Sequence, residues 1–476
     1  MLAVFAAFFV LMFVPHDVIR NKVTLKPGEI SATTEASGQN WSAWGKTGEG
    51  LRYSTAEQNT PENVGELEIA WTARTGFIAD QSESKQDQNT PLYVDGTLFQ
   101  CAAGSQVTAL DGTTGEIKWQ FDPKGQSPFW KRCRTVAYHA STPGDACGPR
   151  IVMSTTDMRL ISLKASDGSL CETFGDGGTV DLAEGIGQSI PGDPVDHSQT
   201  IPPLPGFLAQ TTGPFIGGDK IILGGWVADN VSTGEPSGVV RAFDAQTGEL
   251  AWAWDLGNPE ITKLPPEGES YTKGTPNVWS GIAIDEELGM VYLPLGNATP
   301  DYYGGMRREF DDAYNASLVA LDLETGREAW HFRTVNHDLW DYDLPSQPAL
   351  ANVPDGKGGS VPAVIQTTKR GQIFVLDRRD GTPIKPVEER PVPQAATEVT
   401  GEYYAKTQHY SPQMAAIGGE LAQRETDVGR DADRPDALPD PLQAGELRGR
   451  LHPADLREDH RLPGQQRRDE LGQCFL

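Results

Sequence analysis

The sequence predicts an all-β fold assembled from repeated four-stranded sheets. Three observations carry that expectation. Composition is the first: 52 Gly, 35 Pro and 11 Trp in 476 residues, with little sustained helical periodicity, describe a turn-rich chain. A repeat is the second: an apolar strand ends in aspartate, a Gly-containing turn follows, and the next strand ends in an aromatic. The size of the repeat is the third, since units of this length with four short strands build the blades of a propeller.

The repeat reads Ala109-Leu-Asp-Gly-Thr-Thr-Gly-Glu-Ile-Lys-Trp119, then Ser162-Leu-Lys-Ala-Ser-Asp-Gly-Ser-Leu-Cys171, then Ala242-Phe-Asp-Ala-Gln-Thr-Gly-Glu-Leu-Ala-Trp252. It returns as Ala320-Leu-Asp-Leu-Glu-Thr-Gly-Arg-Glu-Ala-Trp330 and, worn, as Val375-Leu-Asp-Arg-Arg-Asp-Gly381. Aspartate caps the turn, glycine supplies its positive-φ corner, and the aromatic packs between neighbouring sheets. From Asp111 through Lys164, Asp244 and Asp322 to Asp377 the steps are 53, 80, 78 and 55 residues. The two long steps therefore carry insertions, and loops of that kind on one face are where a site is built. Asn40-Trp41-Ser42-Ala43-Trp44-Gly45 reads as a strand entering the array, and Leu67-Glu68-Ile69-Ala70-Trp71 as part of a further blade.

The formal net charge of -26 argues against nucleic acid as a partner, and no basic patch offsets it. Met1 to Val14 is an uncharged apolar run with four Phe, shorter than the roughly 20 residues that span a bilayer. With His16, Arg20 and Lys22 behind it, residues 1–22 read as the remnant of a membrane anchor. Five cysteines occur without a CxxC, so zinc and thioredoxin chemistry are not indicated. Cys133 and Cys147 flank a Gly/Pro loop; a disulfide between them and a pair of free buried thiols are both open.

The densest chemistry lies in Asn336-His337-Asp338-Leu339-Trp340-Asp341-Tyr342-Asp343-Leu344-Pro345. Three carboxylates this close repel one another unless they face water, a cation or a proton-transfer task. A lone lysine, Lys369, follows one strand pattern later.

Taken with the repeats, several stretches resemble the pyrroloquinoline quinone (PQQ) dehydrogenases, and most closely the membrane-bound glucose dehydrogenase type. They are Cys133-Arg-Thr-Val-Ala-Tyr-His139, Ala228-Asp229-Asn230, Pro276-Asn277-Val278-Trp279, Gly296-Asn297-Ala298-Thr299-Pro300-Asp301 and His337-Asp-Leu-Trp-Asp-Tyr-Asp343. The likeness spans residues 39–427. It implies an eight-bladed propeller, here incomplete with its last blades missing, that holds PQQ beside Ca²⁺ or Mg²⁺.

On that resemblance, Trp279 is the floor on which the flat ring stacks. His139 and Lys369 lie at the cofactor edge, and Lys369 stabilises the charge that develops on the quinone oxygen. Asp341 is the general base. Asn297, Thr299, Asp229 and Asn230 handle the metal, the first two offering hard oxygen donors. Asp338 and Asp343 are read as turn caps, and Arg370 as a solvated turn residue. The implied reaction is oxidation of an aldose, glucose to gluconolactone, with electrons passed to ubiquinone. The implied place is the cell inner membrane, held through the N-terminus with the catalytic domain in the periplasm. Rival readings are a quinate, shikimate or polyol dehydrogenase with the same cofactor, and a non-catalytic propeller scaffold.

Composition breaks after Asp427. Residues 428–473 contain no Phe, Trp, Tyr, Ile or Met. Residues 428–476 read as a disordered polar tail or as an out-of-frame segment. Codons exist for both ends of it whose neighbouring frame continues the family pattern. The expectation is then that the 476-residue product is inactive or unstable.

Overall fold

The computed structural model describes residues 40–416, apart from 78–84, 126–130, 143, 188–207, 210, 228–232, 395–396 and 398. The expected anchor (1–22), the expected tail (428–476) and two expected metal residues, Asp229 and Asn230, lie outside the described residues. Among the described residues no helix is long and apolar enough to cross a membrane.

Five sheets of three or four strands follow one another along the described chain, each an antiparallel meander, beside smaller two-stranded pairs. The first comprises Leu92–Val94, Thr97–Cys101, Val107–Asp111 and Ile117–Phe121. The second comprises Ala137–His139, Arg150–Ser154, Arg159–Lys164 and Thr179–Asp181. Phe215–Gly217, Lys220–Leu223, Val240–Asp244 and Leu250–Trp254 make the third. Ala283–Asp285, Met290–Pro294, Ser317–Asp322 and Glu328–Arg333 make the fourth. Ala349–Pro354, Ser360–Thr367 and Ile373–Asp377 make the three-stranded fifth. This is a β-propeller that the described residues leave incomplete.

The core consists of the seams between consecutive sheets. Side chains alternate across a strand, so the second sheet sends Ile151, Met153, Ile161 and Leu163 toward the first and Val152 and Leu160 toward the third. Its inner strands are buried on both faces, which is why they read as continuous apolar runs.

The repeat is the device that joins one sheet to the next. The indole N–H of Trp119 donates to the Ala165 carbonyl (3.0 Å), that of Trp252 to Leu323 (2.9 Å) and that of Trp330 to Arg378 (3.3 Å). Each acceptor directly follows the turn-capping residue of the next repeat, and each ring lies on that repeat's glycine, Gly168, Gly326 and Gly381. Trp71 docks the same way on Gly115, donating to Gly112 (3.3 Å), so residues 67–71 occupy the place of a fourth strand. Where Cys171 stands in place of the tryptophan, Phe174 comes against Gly248 instead.

The cysteine pairing differs from the sequence expectation. Cys133 pairs with Cys101 (Cα–Cα 5.9 Å) and Cys147 with Cys171 (Cα–Cα 5.6 Å). The reason is the seams: Cys133 is buried between the first and second sheets, Cys147 between the second and third. The entering segment 40–52 runs along the first strands of several sheets. Trp41 bridges to Tyr93, Trp44 meets Phe215, and the amides of Ile284 and Leu350 donate to the carbonyls of Gly48 and Glu49.

Candidate active site

In an antiparallel meander, loops joining second to third strands and loops joining one sheet to the next emerge at the same end. Arg134, Glu235, Trp279, Asn297, Thr299, Asp341, Asp343 and Lys369 all lie on such loops. His139 does not. It closes the first strand of its sheet opposite Arg150, at the other end of the strands. Its Nε2 lies 3.5 Å from Asp219, and burial, with Arg150 nearby, pushes its pKa down. The structure therefore does not bring His139 to the residues around Trp279, a departure from the expected cofactor-edge position.

The loop between the fourth and fifth sheets is shaped by Asp338. Its buried carboxylate accepts the amides of Trp340 (2.8 Å) and Tyr342 (2.7 Å), a local cap as expected. Burial nevertheless pushes its pKa up to about 6. The cap turns the chain through a left-handed residue at Asp341 (φ 57°), which aspartate tolerates better than a branched residue. Asp341 and Asp343 then point to the same neighbour: Lys369 Nζ lies 2.7 Å from Asp343 Oδ2 and 3.2 Å from Asp341 Oδ2. Asp343 Oδ2 also accepts the Trp279 indole N–H (3.2 Å), and Asp343 Oδ1 accepts the Asn297 amide (2.6 Å).

Burial raises the pKa of Asp341 strongly, and the charges of Asp343 and Asp301 add to this while Lys369 opposes it. A carboxyl held in that state takes up protons readily, and a cation beside it restores its ionised form.

Trp279 is only partly buried, and two cations approach its ring: Arg134 Cζ and Lys369 Nζ each lie 5.7 Å from the centroid. Arg134 is fixed by Thr211 Oγ1 (3.0 Å), and Thr212 donates to the Trp279 carbonyl. A flat, tri-acidic ring laid on Trp279 meets both positive charges. Asn277 Oδ1, two residues before Trp279, is buried without a hydrogen-bond partner. Those features fit PQQ.

For a cation the donors are oxygens. Thr299 donates to buried Glu235 (2.6 Å), and the Asn297 side chain reaches the Asp301 carbonyl (2.8 Å). Among the described residues no three His, Cys, Asp or Glu side chains converge as a metal cluster. A cation there would thus rest on mixed carboxylate, hydroxyl and amide oxygens, the set that suits Ca²⁺ or Mg²⁺.

Sequence reasoning missed four participants. Asp343 reads as a cap; Arg134 stands in the motif of residues 133–139 without a role of its own; Glu235 and Thr211 carry no signal beyond lying in the long insertions. Arg370, expected in solvent, is buried, donates to the carbonyls of Thr334 (3.2 Å) and His409 (2.8 Å), and lies 4.9 Å from the Tyr410 ring.

Comparison with known proteins decides the family. Residues 41–466 match the family model described as PQQ: glucose/ethanol/alcohol dehydrogenase, beta-propeller domain. The chain belongs to this family. Quinoprotein glucose dehydrogenase A of Acinetobacter calcoaceticus is 35% identical over 433 residues, 86% of this chain and 52% of the relative. The glycerol dehydrogenase large subunit of Gluconobacter oxydans is 38% identical over 394 residues, 81% and 51% of the two chains. Quinate/shikimate dehydrogenase (quinone) of Acinetobacter baylyi is 36% identical over 437 residues, 88% and 52%. As a member of the PQQ dehydrogenase propellers, this chain thus spans about half the length of the curated relatives it matches.

Proposed function

We propose that this propeller is the cofactor-bearing part of a PQQ-dependent dehydrogenase that oxidises an aldose, glucose to gluconolactone, with ubiquinone as acceptor. The reading places it at the inner membrane, facing the periplasm. The observation that carries it is the grouping of Trp279, Asp341, Asp343 and Lys369 at one end of the strands. PQQ, when bound, supplies a quinone that accepts the equivalent of a hydride from an alcohol carbon.

The chain's own residues do the rest. Trp279 and Arg134 orient the ring and match its charge. Asp341 takes the substrate hydroxyl proton. Asn297, Thr299, Glu235 and, on the resemblance, Asp229 and Asn230 would hold a divalent cation, whose charge would favour ionised carboxylates. Lys369, whose Nζ lies over the Trp279 ring, would donate to an oxygen of a ring stacked there and stabilise developing negative charge. A non-catalytic scaffold has no use for a half-buried lysine shared between two buried carboxylates.

Glycerol- and quinate-oxidising relatives support the runner-up, a polyol or quinate substrate, as strongly as the glucose enzyme supports an aldose. The test is turnover of glucose, glycerol and quinate with a ubiquinone analogue, in a chain extended to the relatives' length and loaded with PQQ and Ca²⁺ or Mg²⁺. Asp341→Asn is expected to cut kcat by about 10²–10⁴-fold with PQQ still bound. Undiminished turnover in that variant would remove Asp341 as base, and preference for glycerol or quinate would replace the aldose.

A further inference from the structure

We propose that Asp343 is a positioning residue for this site, the single carboxylate that sets where Lys369 and Trp279 stand relative to each other. A turn cap accepts amides from its own neighbourhood, as Asp338 does from Trp340 and Tyr342. The donors to Asp343 come from three other loops. They are Lys369 Nζ, 26 residues away, Asn297 N, 46 residues away, and Trp279 Nε1, 64 residues away.

An ionised carboxylate is acceptor-only, with about four lone-pair positions. Here three are engaged in a side chain that is 12% exposed. The backbone on either side is built to hold it there. A Cβ at Gly296 would come 3.1 Å from Asp343 Oδ1. The next residue, Leu344, donates its amide to the Leu295 carbonyl (3.1 Å) and accepts from Ser280 Oγ (3.0 Å).

The division of labour between the two carboxylates follows from the distances. Lys369 is closer to Asp343 than to Asp341, 2.7 against 3.2 Å. Asp343 therefore anchors the ammonium, and Asp341 is left with the weaker share of it. Remove the charge at Asp343 and, of these two carboxylates, Lys369 keeps the more distant one, Asp341.

The first arm of the test needs no cofactor and does not depend on the proposed function. The 476-residue chain, its Asp343→Asn and its Asp341→Asn variants are treated with an amine-acylating ester, and labelling of each lysine is followed by mass spectrometry. Losing a hydrogen bond to a charged partner is expected to speed acylation of Lys369 by about tenfold in Asp343→Asn and by less in Asp341→Asn. Labelling of exposed Lys357 stays constant as the internal reference. Asp343→Glu, which keeps the charge, is expected to restore protection. Unchanged Lys369 labelling in Asp343→Asn, or a larger change in Asp341→Asn, overturns the proposal. If Asp343→Asn does not fold, Asp343→Glu with Lys369 as exposed to acylation as Lys357 overturns it equally.

The second arm rests on the PQQ reading. Quenching of tryptophan fluorescence by added PQQ is expected to require about tenfold more PQQ in Asp343→Asn than in the parent chain. No quenching in the parent chain would count against the PQQ reading while leaving the lysine result to stand or fall by itself.

Discussion

Around Asp341, small steric facts fix large pieces of chain. Gly304 illustrates this. A Cβ there would come 2.6 Å from Leu339 Cδ2 and closer still to the ring of His337. That ring cannot retreat, because His337 Nδ1 is 2.8 Å from Asp312 Oδ1 and the ring is stacked on Tyr403 at 3.7 Å. Tyr403 in turn donates to Asp312 (2.8 Å). Gly304→Ala is thus expected to cost about 1–3 kcal/mol as overpacking, read as a lowered urea midpoint with an unchanged slope. Wild-type stability in this variant would mean that the His337–Tyr403 stack yields freely. The same scale explains the opposite fates of two neighbouring cations. Lys369 points to a pair of carboxylates, while Arg370, one residue on, donates from its single Nη1 to two backbone carbonyls.

Between elements, the repeated joint is a tryptophan of one sheet lying on a positive-φ glycine of the next. Gly326 (φ 68°) lies under Trp252, whereas Gly356 (φ 74°) has open space where a Cβ would go. Both substitutions to alanine meet the left-handed backbone penalty, about 1–2 kcal/mol. Only Gly326→Ala also pushes into a fully buried indole, which adds about 1–3 kcal/mol. Chemical denaturation of the two variants should therefore separate them by that second amount. Equal losses would show that the ring can shift and that the docking contributes little.

Across the whole molecule, buried titratable groups make stability depend on pH with competing signs. Burial lowers the pKa of His139 and His409, so the folded chain binds fewer imidazolium protons than the unfolded one. Their contribution is complete above the unfolded value of about 6.5 and is lost as pH falls from there through the lowered folded value. Asp338, raised to about 6, and Asp341, also raised, work the other way: the folded chain holds these protons more tightly, and stability is lost as pH rises above about 4. A raw pH profile mixes these, so the comparison that isolates one is wild type against His139→Gln. Between pH 7.5 and 5 the wild type is expected to lose up to about 1.4 kcal/mol per pH unit more than the variant. Parallel urea-midpoint profiles would rule out His139 as a source of acid lability.

The joints and the loops are legible along the chain. Asp-x-x-Thr-Gly and a following tryptophan are local chemistry, so Trp119, Trp252 and Trp330 and the glycines that receive such rings could be placed from spacing alone. The meander then dictates that Trp279, Asn297, Thr299, Asp341 and Lys369 emerge at one end, since each lies on a loop of the same kind. Folding alone supplies every contact that crosses from one seam or loop to another: Cys101 with Cys133, Glu235 with Thr299, Arg134 over Trp279, and Asp343 with its three distant donors. His139 was misplaced for the same reason, because a motif names a strand but not which of its ends a residue faces. The physical cause is range. Turn and strand propensities act over a few residues, whereas partners 26 to 145 residues apart meet only once whole sheets have stacked.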